Sequence, residues 1–393
     1  MNPINIAYPF RPARRSLASA EVADLFGISE TEPPHILANN LELDIQPGDL
    51  VLFTGPSGSG KSSILRDAGR PLDALDMATL QLPDHPLIDC LAGPIEKRLQ
   101  LLAACGLSEA RLLLRTPSEL SDGERWRLRL ALALQHEPRF LLMDEFAAML
   151  ERTLAKVIAF NVRKLCTRTK IGFLAATTHE DLLEDLNPDL HVRCLGDGKI
   201  EVQRRKAQKQ PISFCHELSI SEGSQKDWPR FARWHYRGHK LAFVKRVVLL
   251  RHGCEPVGIC VFSSPAASLK LRSRYFGLSN THSEAAMAAL NEQLWLLARV
   301  VLHPTYRGAG IGADFVRRAC ESCPVPWIET LSAMGRVNPF FERAGFIRVG
   351  VVRKNGNGKL SRIYGPGRSV TSETEARSRF SEPVYYVFDN RRV

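Results

Sequence analysis

A glycine-rich segment at residues 55–63, Gly-Pro-Ser-Gly-Ser-Gly-Lys-Ser-Ser, most constrains what this chain can fold into. An apolar run precedes it at 50–53 and a helix-like stretch follows it at 64–68, which is the strand–turn–helix context of a phosphate-binding loop. Glycines let backbone N–H groups approach phosphate oxygens, and a helix N-terminus adds partial positive charge at the same point. We expect Lys61 to reach the β- and γ-phosphates of a nucleotide and Ser62 to hold Mg²⁺. The predicted nucleotide contacts are Gly55, Ser57, Gly58, Gly60, Lys61, Ser62 and Ser63.

The length of 393 residues predicts two or three domains. With 44% hydrophobic and 24% charged residues, the composition is that of a folded soluble protein. We expect neither a membrane span nor a secretory signal, because no long apolar run occurs and the first 15 residues lack an apolar core. Nine scattered cysteines indicate reduced thiols in a cytoplasmic protein, with neither zinc nor disulfides.

Charge is distributed unevenly along the chain. Residues 1–210 hold 26 lysines and arginines against 28 aspartates and glutamates, a net charge of −2. Residues 211–393 hold 27 against 14, a net charge of +13. A basic excess confined to one half favours a polyanionic partner, DNA or RNA. The alternative is a solvated basic surface that attracts coenzyme phosphates.

Three further polar groups follow the phosphate loop. The segment Leu-Ser-Asp-Gly-Glu at 120–124 opens a helix-like stretch and places Ser121 and Gly123 at its start. Asp144 and Glu145 end the apolar run 140–143, and His179 follows the apolar run 171–176. A carboxylate at the end of a buried strand beside phosphates is suited to hold Mg²⁺, and a hydroxyl with a bare N–H at a helix start is suited to bind phosphate.

In this order and at about this spacing, the motifs of residues 1–205 resemble those of the ATP-binding cassette (ABC) ATPases. The resemblance implies a P-loop domain that binds ATP and Mg²⁺ and pairs head to tail with a second copy of itself. It implies that Ser121 and Gly123 cap the γ-phosphate bound by the other copy. It also implies that Asp144 holds the metal, Glu145 polarises the attacking water and His179 senses the γ-phosphate.

The first half departs from the family pattern at several positions. Asp122 stands where the family has a second glycine, and Glu151 is the substitute candidate for an acidic residue missing after Glu145. These departures predict slow turnover or a switch function. Since no membrane partner is encoded, the chain is more similar to the ABC ATPases of DNA repair and translation than to transporters. The family also has a glutamine that links to Mg²⁺ and an aromatic residue that stacks on adenine. The candidates here are Gln81 or Asp84 for the first and Tyr8 or Phe10 for the second.

A basic, polar segment at 202–211 ends at Pro211 and predicts a linker. We place the first domain at 1–205, the linker at 206–211 and the second domain at 212–393. Within the second domain, residues 228–240 interleave aromatic with basic side chains, an arrangement suited to stacking on unpaired bases while contacting phosphates. The alternative is an amphipathic helix whose aromatics face the core.

A second strand–turn–helix unit covers residues 294–321. An apolar run at 294–302 leads through His303 and Pro304 into Arg-Gly-Ala-Gly-Ile-Gly at 307–312. This turn lacks the Lys-Ser of a nucleotide loop and resembles the coenzyme-A pyrophosphate loop of the GNAT acyltransferases. We expect Pro304 to end strand pairing and so open a place for a thioester. The implied contacts of acetyl-CoA or another acyl-CoA are Arg307, Gly308, Ala309, Gly310, Ile311 and Gly312.

The segment Asn-Pro-Phe-Phe-Glu-Arg-Ala-Gly-Phe at 338–346 resembles the second conserved segment of the GNAT family, which adds Asn338 to the predicted coenzyme contacts. Phe341 stands where the family often has a tyrosine that protonates the leaving thiolate, so Tyr306 or water would supply that proton. The general base is not assigned; the candidates are His235, His303 and Glu329.

The run Trp-His-Tyr-Arg-Gly at 234–238 and the hairpin after it are similar to GNAT-like proteins related to phage Mom, which modifies adenine in DNA. The domain order is similar to a fusion family of archaea, bacteria and phages. We therefore predict an α/β chain in which a P-loop ABC-type ATPase domain precedes a GNAT-fold α+β acyltransferase domain that acts on nucleic acid. The alternatives are an ATP-dependent nucleic-acid clamp with a non-catalytic GNAT module, and an acyltransferase for a protein lysine or small amine.

Overall fold

The computed structural model describes residues 3–8, 15–28, 33–206, 208–235, 241–266, 268–278, 283–336, 338–352 and 382–391. Internal contacts divide the chain into two units, Met1–Ser213 and Phe214–Val393. Two predictions concern positions outside the described residues: Phe10 as an adenine-stacking aromatic, and residues 236–240 of the aromatic-basic run. No helix in the described part of the chain has the length and apolarity to cross a membrane.

The first unit is built around a six-stranded sheet. Two further strands, β1 (Ile4–Tyr8) and β2 (His35–Leu41), pair antiparallel in a separate sheet. The six strands lie in the order β4-β5-β6-β3-β7-β8; all neighbours are parallel except β7 and β8. Their bounds are β3 (Leu50–Thr54), β4 (Leu75–Asp76), β5 (Phe140–Met143), β6 (Gly172–Ala176), β7 (Leu190–Gly196) and β8 (Lys199–Arg204).

Six helices accompany these strands in the described part of the first unit. They are α1 (Leu17–Phe26), α2 (Lys61–Gly69), α3 (Ile95–Ala104), α4 (Asp122–Gln135), α5 (Arg152–Thr169) and α6 (Leu183–Leu186). Strands β3, β5 and β6 are buried at every position, as expected of parallel strands covered on both faces. Alternate residues of these strands enter two separate hydrophobic clusters, one on each face. The C-terminal ends of the three adjacent strands therefore meet at one edge of a rigid sheet.

The second unit is built on a seven-stranded sheet with the order β14-β15-β13-β12-β11-β10-β9. Only β12 and β13 are parallel among the pairs described. The strands are β9 (Leu218–Glu222), β10 (Val244–His252), β11 (Glu255–Ser263), β12 (Leu294–Leu302), β13 (Trp327–Ser332), β14 (Ile347–Val351) and β15 (Val384–Asp389). The helices are α7 (Trp228–Ala232), α8 (Lys270–Phe276), α9 (Glu284–Gln293), α10 (Gly312–Glu321) and α11 (Phe340–Arg343).

The two parallel strands of this sheet separate after a short contact. Residues 294–296 of β12 pair with 327–329 of β13, although β12 continues to Leu302. Immediately after this pairing, the register of β12 on β11 shifts around Ala298, which is the extra residue of a bulge. A bulge bends a strand and increases its twist. The separation therefore begins at Ala298. Pro304 follows the end of β12, as expected of a proline that ends strand pairing, but it does not open the sheet because it lies beyond the point of separation.

Candidate functional sites

The phosphate loop of the first unit joins the end of β3 to the start of α2. Gly55 has φ +142°, and a Cβ there would overlap the carbonyl oxygen of Cys194 in β7. Gly60 has φ +87° and is the N-cap of α2, whose first residue is Lys61. Only glycine tolerates both the close approach and the left-handed backbone. The loop backbone is thus held at a helix N-terminus, where N–H groups can receive an anion.

Lys61 is folded back over its own loop. Its Nζ donates to the carbonyl oxygens of Gly55 at 2.9 Å and Pro56 at 2.6 Å. Burial lowers the pKa of the Lys61 amine, whereas Cys194 and Asp144 act to raise it. The ammonium is held by neutral carbonyl groups that a phosphate could replace with stronger, charge-assisted hydrogen bonds.

Oxygen ligands suited to a magnesium ion lie beside this loop. The Ser62 hydroxyl donates to Oδ1 of Asp144 at 2.9 Å, and Nη2 of Arg66 lies 2.9 Å from Oδ2. Hydroxyl and carboxylate oxygens are the donors that Mg²⁺ prefers, so this pair fits the ion. The Ser59 hydroxyl is buried and has no hydrogen-bond partner among the described residues, which fits a phosphate oxygen as its acceptor. Neither Ser59 nor Arg66 was predicted from the sequence.

Glu145 and His179 extend from the neighbouring strand ends. Glu145 directly follows Asp144, is exposed, and has φ +50°, a left-handed backbone that is uncommon outside glycine. His179 follows β6, and its backbone N–H donates to Oγ1 of Thr177 at 3.2 Å. Burial, and to a lesser degree the charge of Arg152, lower the pKa of the His179 imidazole. Because β5, β6 and β3 are adjacent, both side chains belong to the same sheet edge as the phosphate loop.

Ser121 is the N-cap of α4 and forms a capping box with Glu124. The Glu124 N–H donates to the Ser121 hydroxyl at 3.3 Å, and the Ser121 N–H donates to the Glu124 carboxylate at 2.9 Å. Gly123 is buried, and a Cβ there would lie 2.9 Å from a methyl carbon of Leu150. Glu151 caps α5 by accepting from the N–H groups of Thr153 and Leu154. The Glu151 carboxylate therefore acts as the N-cap of α5.

Tyr8 of β1 stands beside the phosphate loop. Its hydroxyl lies 3.0 Å from Oγ of Ser63, and the residue is 52% exposed. This aromatic ring next to the loop is geometrically suited to stack on a nucleobase, as one of the two aromatic candidates was expected to do.

The glycine turn of the second unit, residues 307–312, joins β12 to α10. Gly308 has φ +93° and Gly310 has φ +83°, while Ala309 is buried beneath them. A Cβ on Gly312 would lie 3.0 Å from Leu302 and 3.1 Å from Phe340. Ile311 precedes the first residue of α10, so the predicted contacts form one turn at a strand end and a helix start. Such a turn offers successive backbone N–H groups to a diphosphate.

Tyr306 is held by a hydrogen-bond relay that consists of Tyr306, His252 and Glu217. Its hydroxyl lies 2.7 Å from Nδ1 of His252, and Nε2 of His252 lies 2.9 Å from Glu217. Tyr306 is buried, and the ring of Phe214 stacks on His252 with centroids 5.0 Å apart. This relay was missed by the sequence analysis. Its geometry makes Tyr306 a support of the turn, since the hydroxyl is already bonded to His252.

Two of the three candidate bases are engaged elsewhere. Nδ1 of His303 accepts the Thr305 N–H at 3.3 Å, which uses its basic lone pair. Glu329 is 1% exposed, pairs with Arg272 at 3.1 Å, and accepts from the Tyr385 hydroxyl at 2.9 Å. Burial raises the pKa of the Glu329 carboxyl although Arg272 lowers it. The third candidate, His235, lies edge-on to Trp228 with ring centroids 5.8 Å apart.

The second predicted coenzyme segment contributes packing as well as exposed polar groups. Asn338 is exposed, and its N–H donates to the Met334 carbonyl at 2.9 Å. Phe341 is 9% exposed and contacts Phe346 and Tyr386 with ring centroids 5.3 and 5.5 Å apart. Phe341 is therefore a core residue, and burial raises the pKa of the Tyr386 phenol that it contacts to about 12.

Two aromatics in the described part of the aromatic-basic run belong to the hydrophobic core. Trp228 is 5% exposed and Phe231 is fully buried, so base stacking by these two residues is wrong. The Trp234 ring contacts His303 with centroids 4.5 Å apart, and its carbonyl accepts from Nη2 of Arg307 at 3.5 Å. The described part of the run thus borders the glycine turn through Trp234.

Two cysteines have C-x-x-C spacing, so the interpretation that all nine are scattered without such spacing is wrong. Cys320 and Cys323 form a C-x-x-C pair at the end of α10, and both are buried. Burial raises the pKa of the Cys323 thiol to about 12, which makes it a poor nucleophile. The described residues contain no cluster of His, Cys, Asp and Glu side chains that could hold a metal ion.

The comparisons with known proteins cover about half of the chain. The chain is 30% identical over 226 residues to the lipoprotein-releasing system ATP-binding protein LolD of Hyphomonas neptunium, an alignment that covers 46% of this chain and 96% of that protein. It is 27% identical over 205 residues to LolD 2 of Caulobacter vibrioides, covering 42% of this chain and 88% of that protein. A solved dimeric bacterial ABC transporter cassette is 20% identical, covers 53% of this chain and 98% of its own, and has a TM-score of 0.38. No protein-family profile matches the chain.

Proposed function

The chain belongs to the ATP-binding cassette ATPases through a region of about half its length, and from that premise we propose that it joins an ATPase to an acyl-CoA-dependent N-acyltransferase acting on nucleic acid. The first unit binds and hydrolyses ATP. The second unit binds acetyl-CoA or another acyl-CoA and transfers the acyl group to an amine. Each activity is supported by a glycine-rich turn between a strand end and a helix start.

The residues around the phosphate loop have separate roles in ATP hydrolysis. Lys61 exchanges its two backbone carbonyl partners for phosphate oxygens. Ser62 and Asp144 would hold Mg²⁺, which would neutralise phosphate charge when bound. Glu145, which has a left-handed backbone directly after Asp144, orients and polarises the attacking water. His179, with a lowered pKa, contacts the γ-phosphate as a neutral imidazole.

We further propose that two copies of the first unit pair head to tail when ATP is bound. The support is the start of α4, where the N-cap residue Ser121 is exposed and the first backbone N–H groups have no carbonyl partner within the helix. These groups and the Ser121 hydroxyl suit the γ-phosphate of a second copy. Gly123 keeps this helix start closely packed on the loop that follows Glu145.

The observation that carries the acyltransferase proposal is the separation of β12 from β13 at Ala298. Residues 298–302 continue β12 beyond its pairing with β13, along about 13 Å of strand at 3.3 Å per residue. This open edge leads directly to the glycine turn at the start of α10. An extended coenzyme arm can pair with the strand edge while its diphosphate binds the turn.

A nucleic-acid acceptor is supported by charge and by position. The second half of the chain holds 27 lysines and arginines against 14 aspartates and glutamates. Arg233 lies over the Trp234 ring with its guanidinium carbon 4.3 Å from the centroid, and Trp234 contacts the residue after β12. A cation stacked on an aromatic ring suits a strand of bases and phosphates.

The deciding experiment measures thiol release from acetyl-CoA with ATP present, in the presence of single-stranded DNA, RNA, a lysine-rich protein or no polymer. Mass spectrometry then locates the acyl group. We expect thiol release to rise with a nucleic acid and the acyl mass to appear on it. Acyl mass on the protein alone would exclude nucleic acid as the acceptor.

A second candidate function is an ATP-dependent clamp whose second unit binds the coenzyme without catalysis. The observation that favours it is the state of the catalytic candidates, since Phe341 is buried and His303 and Glu329 are already bonded. Coenzyme binding without thiol release under any of these conditions would support the clamp, and any polymer-dependent release would exclude it.

A further inference from the structure

The segment 208–217, which contains the boundary between the two units, is fastened at both of its ends. Its first part is bound to the helix that follows His179, and its last part is bound to the relay beneath the glycine turn. Residue 213 ends one unit and residue 214 begins the other, so a single peptide bond joins the two sets of contacts.

At the first end, the segment is held by α6. The Asp185 carboxylate is 1% exposed and accepts from both the N–H and the hydroxyl of Ser213, at 2.8 and 2.7 Å. The Asn187 side-chain amide donates to the carbonyl of Gln208 at 2.7 Å. The helix α6 continues directly from a short 3-10 helix at Glu180–Leu182, which begins one residue after His179.

At the second end, the segment enters the core of the second unit. Phe214 is 1% exposed, stacks on His252, and lies edge-on to Tyr306 with centroids 5.7 Å apart. Glu217 completes the contact by bonding to His252 at 2.9 Å. Tyr306 is the residue immediately before Arg307, the first residue of the glycine turn.

We propose that segment 208–217 couples the nucleotide site to the coenzyme site, so that the state of the bound nucleotide sets the affinity of the glycine turn for acyl-CoA. The inference rests on the function proposed above and adds regulation to it. The two sites are the phosphate loop with His179 and the turn 307–312. The element between them is α6 with the segment it holds.

The contacts explain why a movement at one end reaches the other. A γ-phosphate engages His179 only while ATP is intact, so hydrolysis releases the loop that carries α6. If α6 shifted without Ser213, a buried carboxylate would lose two donors, which is costly. Ser213 therefore follows α6, and Phe214, with its ring stacked on His252, is displaced against the support of the turn. Coupling of this kind is reciprocal, because each ligand must change the affinity for the other by the same factor.

The test is calorimetric titration of coenzyme A into the full chain carrying Glu145→Gln, without nucleotide, with ADP and Mg²⁺, and with ATP and Mg²⁺. We expect the dissociation constant to differ between the ADP and ATP states by about fivefold or more, the lower range of measured couplings. Saturating coenzyme A should change the affinity for ATP by the same factor. Equal affinities in all three states would overturn the coupling while leaving the proposed function standing.

Two variants test whether segment 208–217 carries the coupling between the two sites. Inserting Gly-Ser between residues 213 and 214 lengthens the segment and removes no side chain, so the coupling factor should fall to within about twofold of unity. The same insertion between Asp197 and Gly198, in the β7–β8 turn, should leave it unchanged. Ser213→Ala, with Ser224→Ala as its control, should reduce the factor by removing one bond to Asp185. Persistent coupling after the 213–214 insertion would overturn the route, and failure of coenzyme A to bind in every state would overturn both proposals.

Discussion

Glu145 and Glu137 are two exposed glutamates with nearly the same left-handed backbone, φ +50° and +48°. Only Glu145 stands at the sheet edge that holds the phosphate loop. We predict that Glu145→Gln lowers the ATPase rate by about 100-fold or more, because a positioned base contributes that much, while ATP affinity is kept. Steady-state phosphate release and nucleotide titration measure the two effects. Glu137→Gln is the matched control, and an equal loss in both variants would remove Glu145 from the reaction.

The lowered pKa of His179 predicts a pH dependence. The unfolded chain takes up a proton near pH 6.5 and the folded chain only at lower pH, so the free energy of unfolding should fall as pH drops below about 6.5. Arg152→Gln removes the repelling charge but not the burial, so the pKa of His179 should rise and still stay below its ordinary value. NMR titration of His179 checks this, with Arg193→Gln as the control. An unchanged pKa would show that Arg152 does not act on His179.

The residues of the candidate nucleotide site that could be predicted are those that lie close to one another in the sequence. Lys61 and Ser62 are neighbours in one loop, and Asp144 and Glu145 end one apolar run. The relay beneath the glycine turn could not be predicted in the same way. His252 bonds to one partner 54 residues away and to another 35 residues away, and no spacing rule connects them. Ser59 was missed because only its burial without a partner distinguishes it.

At the scale of elements, a substitution in the glycine turn should weaken coenzyme A binding in addition to any effect on stability. Gly310 in the turn and Gly253 in the β10–β11 hairpin both have positive φ, +83° and +57°. Alanine at either position should lower stability by about 1–2 kcal/mol through backbone strain. Only Gly310→Ala should also weaken coenzyme A binding, by about tenfold if one hydrogen bond to the diphosphate is lost. Calorimetry and thermal melting separate these effects, and equal coenzyme affinities in both variants would contradict a diphosphate site.

Strands and helices with a clear hydrophobic pattern could be predicted from the sequence, but irregularities within them, such as bulges, could not. The apolar run 294–302 does form β12, but the bulge at Ala298 has neither a glycine nor a proline to announce it. The aromatic-basic run illustrates the same limit. Trp228 and Phe231 are three residues apart, which is helical spacing, and α7 directs both into the core. Charge and aromatic content alone did not distinguish a binding surface from an amphipathic helix.

At the scale of the whole molecule, the head-to-tail pair can be tested by a charge placed at the start of α4. Ser121→Asp keeps an N-cap of equal quality, because aspartate caps helices as well as serine does. The new carboxylate would face the γ-phosphate of the second copy and repel it. In a Glu145→Gln background with ATP and Mg²⁺, we expect sedimentation to report a species of twice 43.9 kDa, and Ser121→Asp should return it to a single chain.

The control for this variant is Ser16→Asp, which changes the N-cap of α1 in the same way and lies outside the nucleotide motifs. It should leave the pair intact. ATP affinity of the separated Ser121→Asp chain should also be retained, because its own phosphate loop is unchanged and the repulsion acts only across the pair. If the Ser121→Asp chain still forms a pair when ATP is bound, the start of α4 does not contact the phosphate bound by the second copy. The two copies would then pair through another surface. If Ser16→Asp separates the chains as well, the loss reflects altered helix capping and not charge at a shared nucleotide.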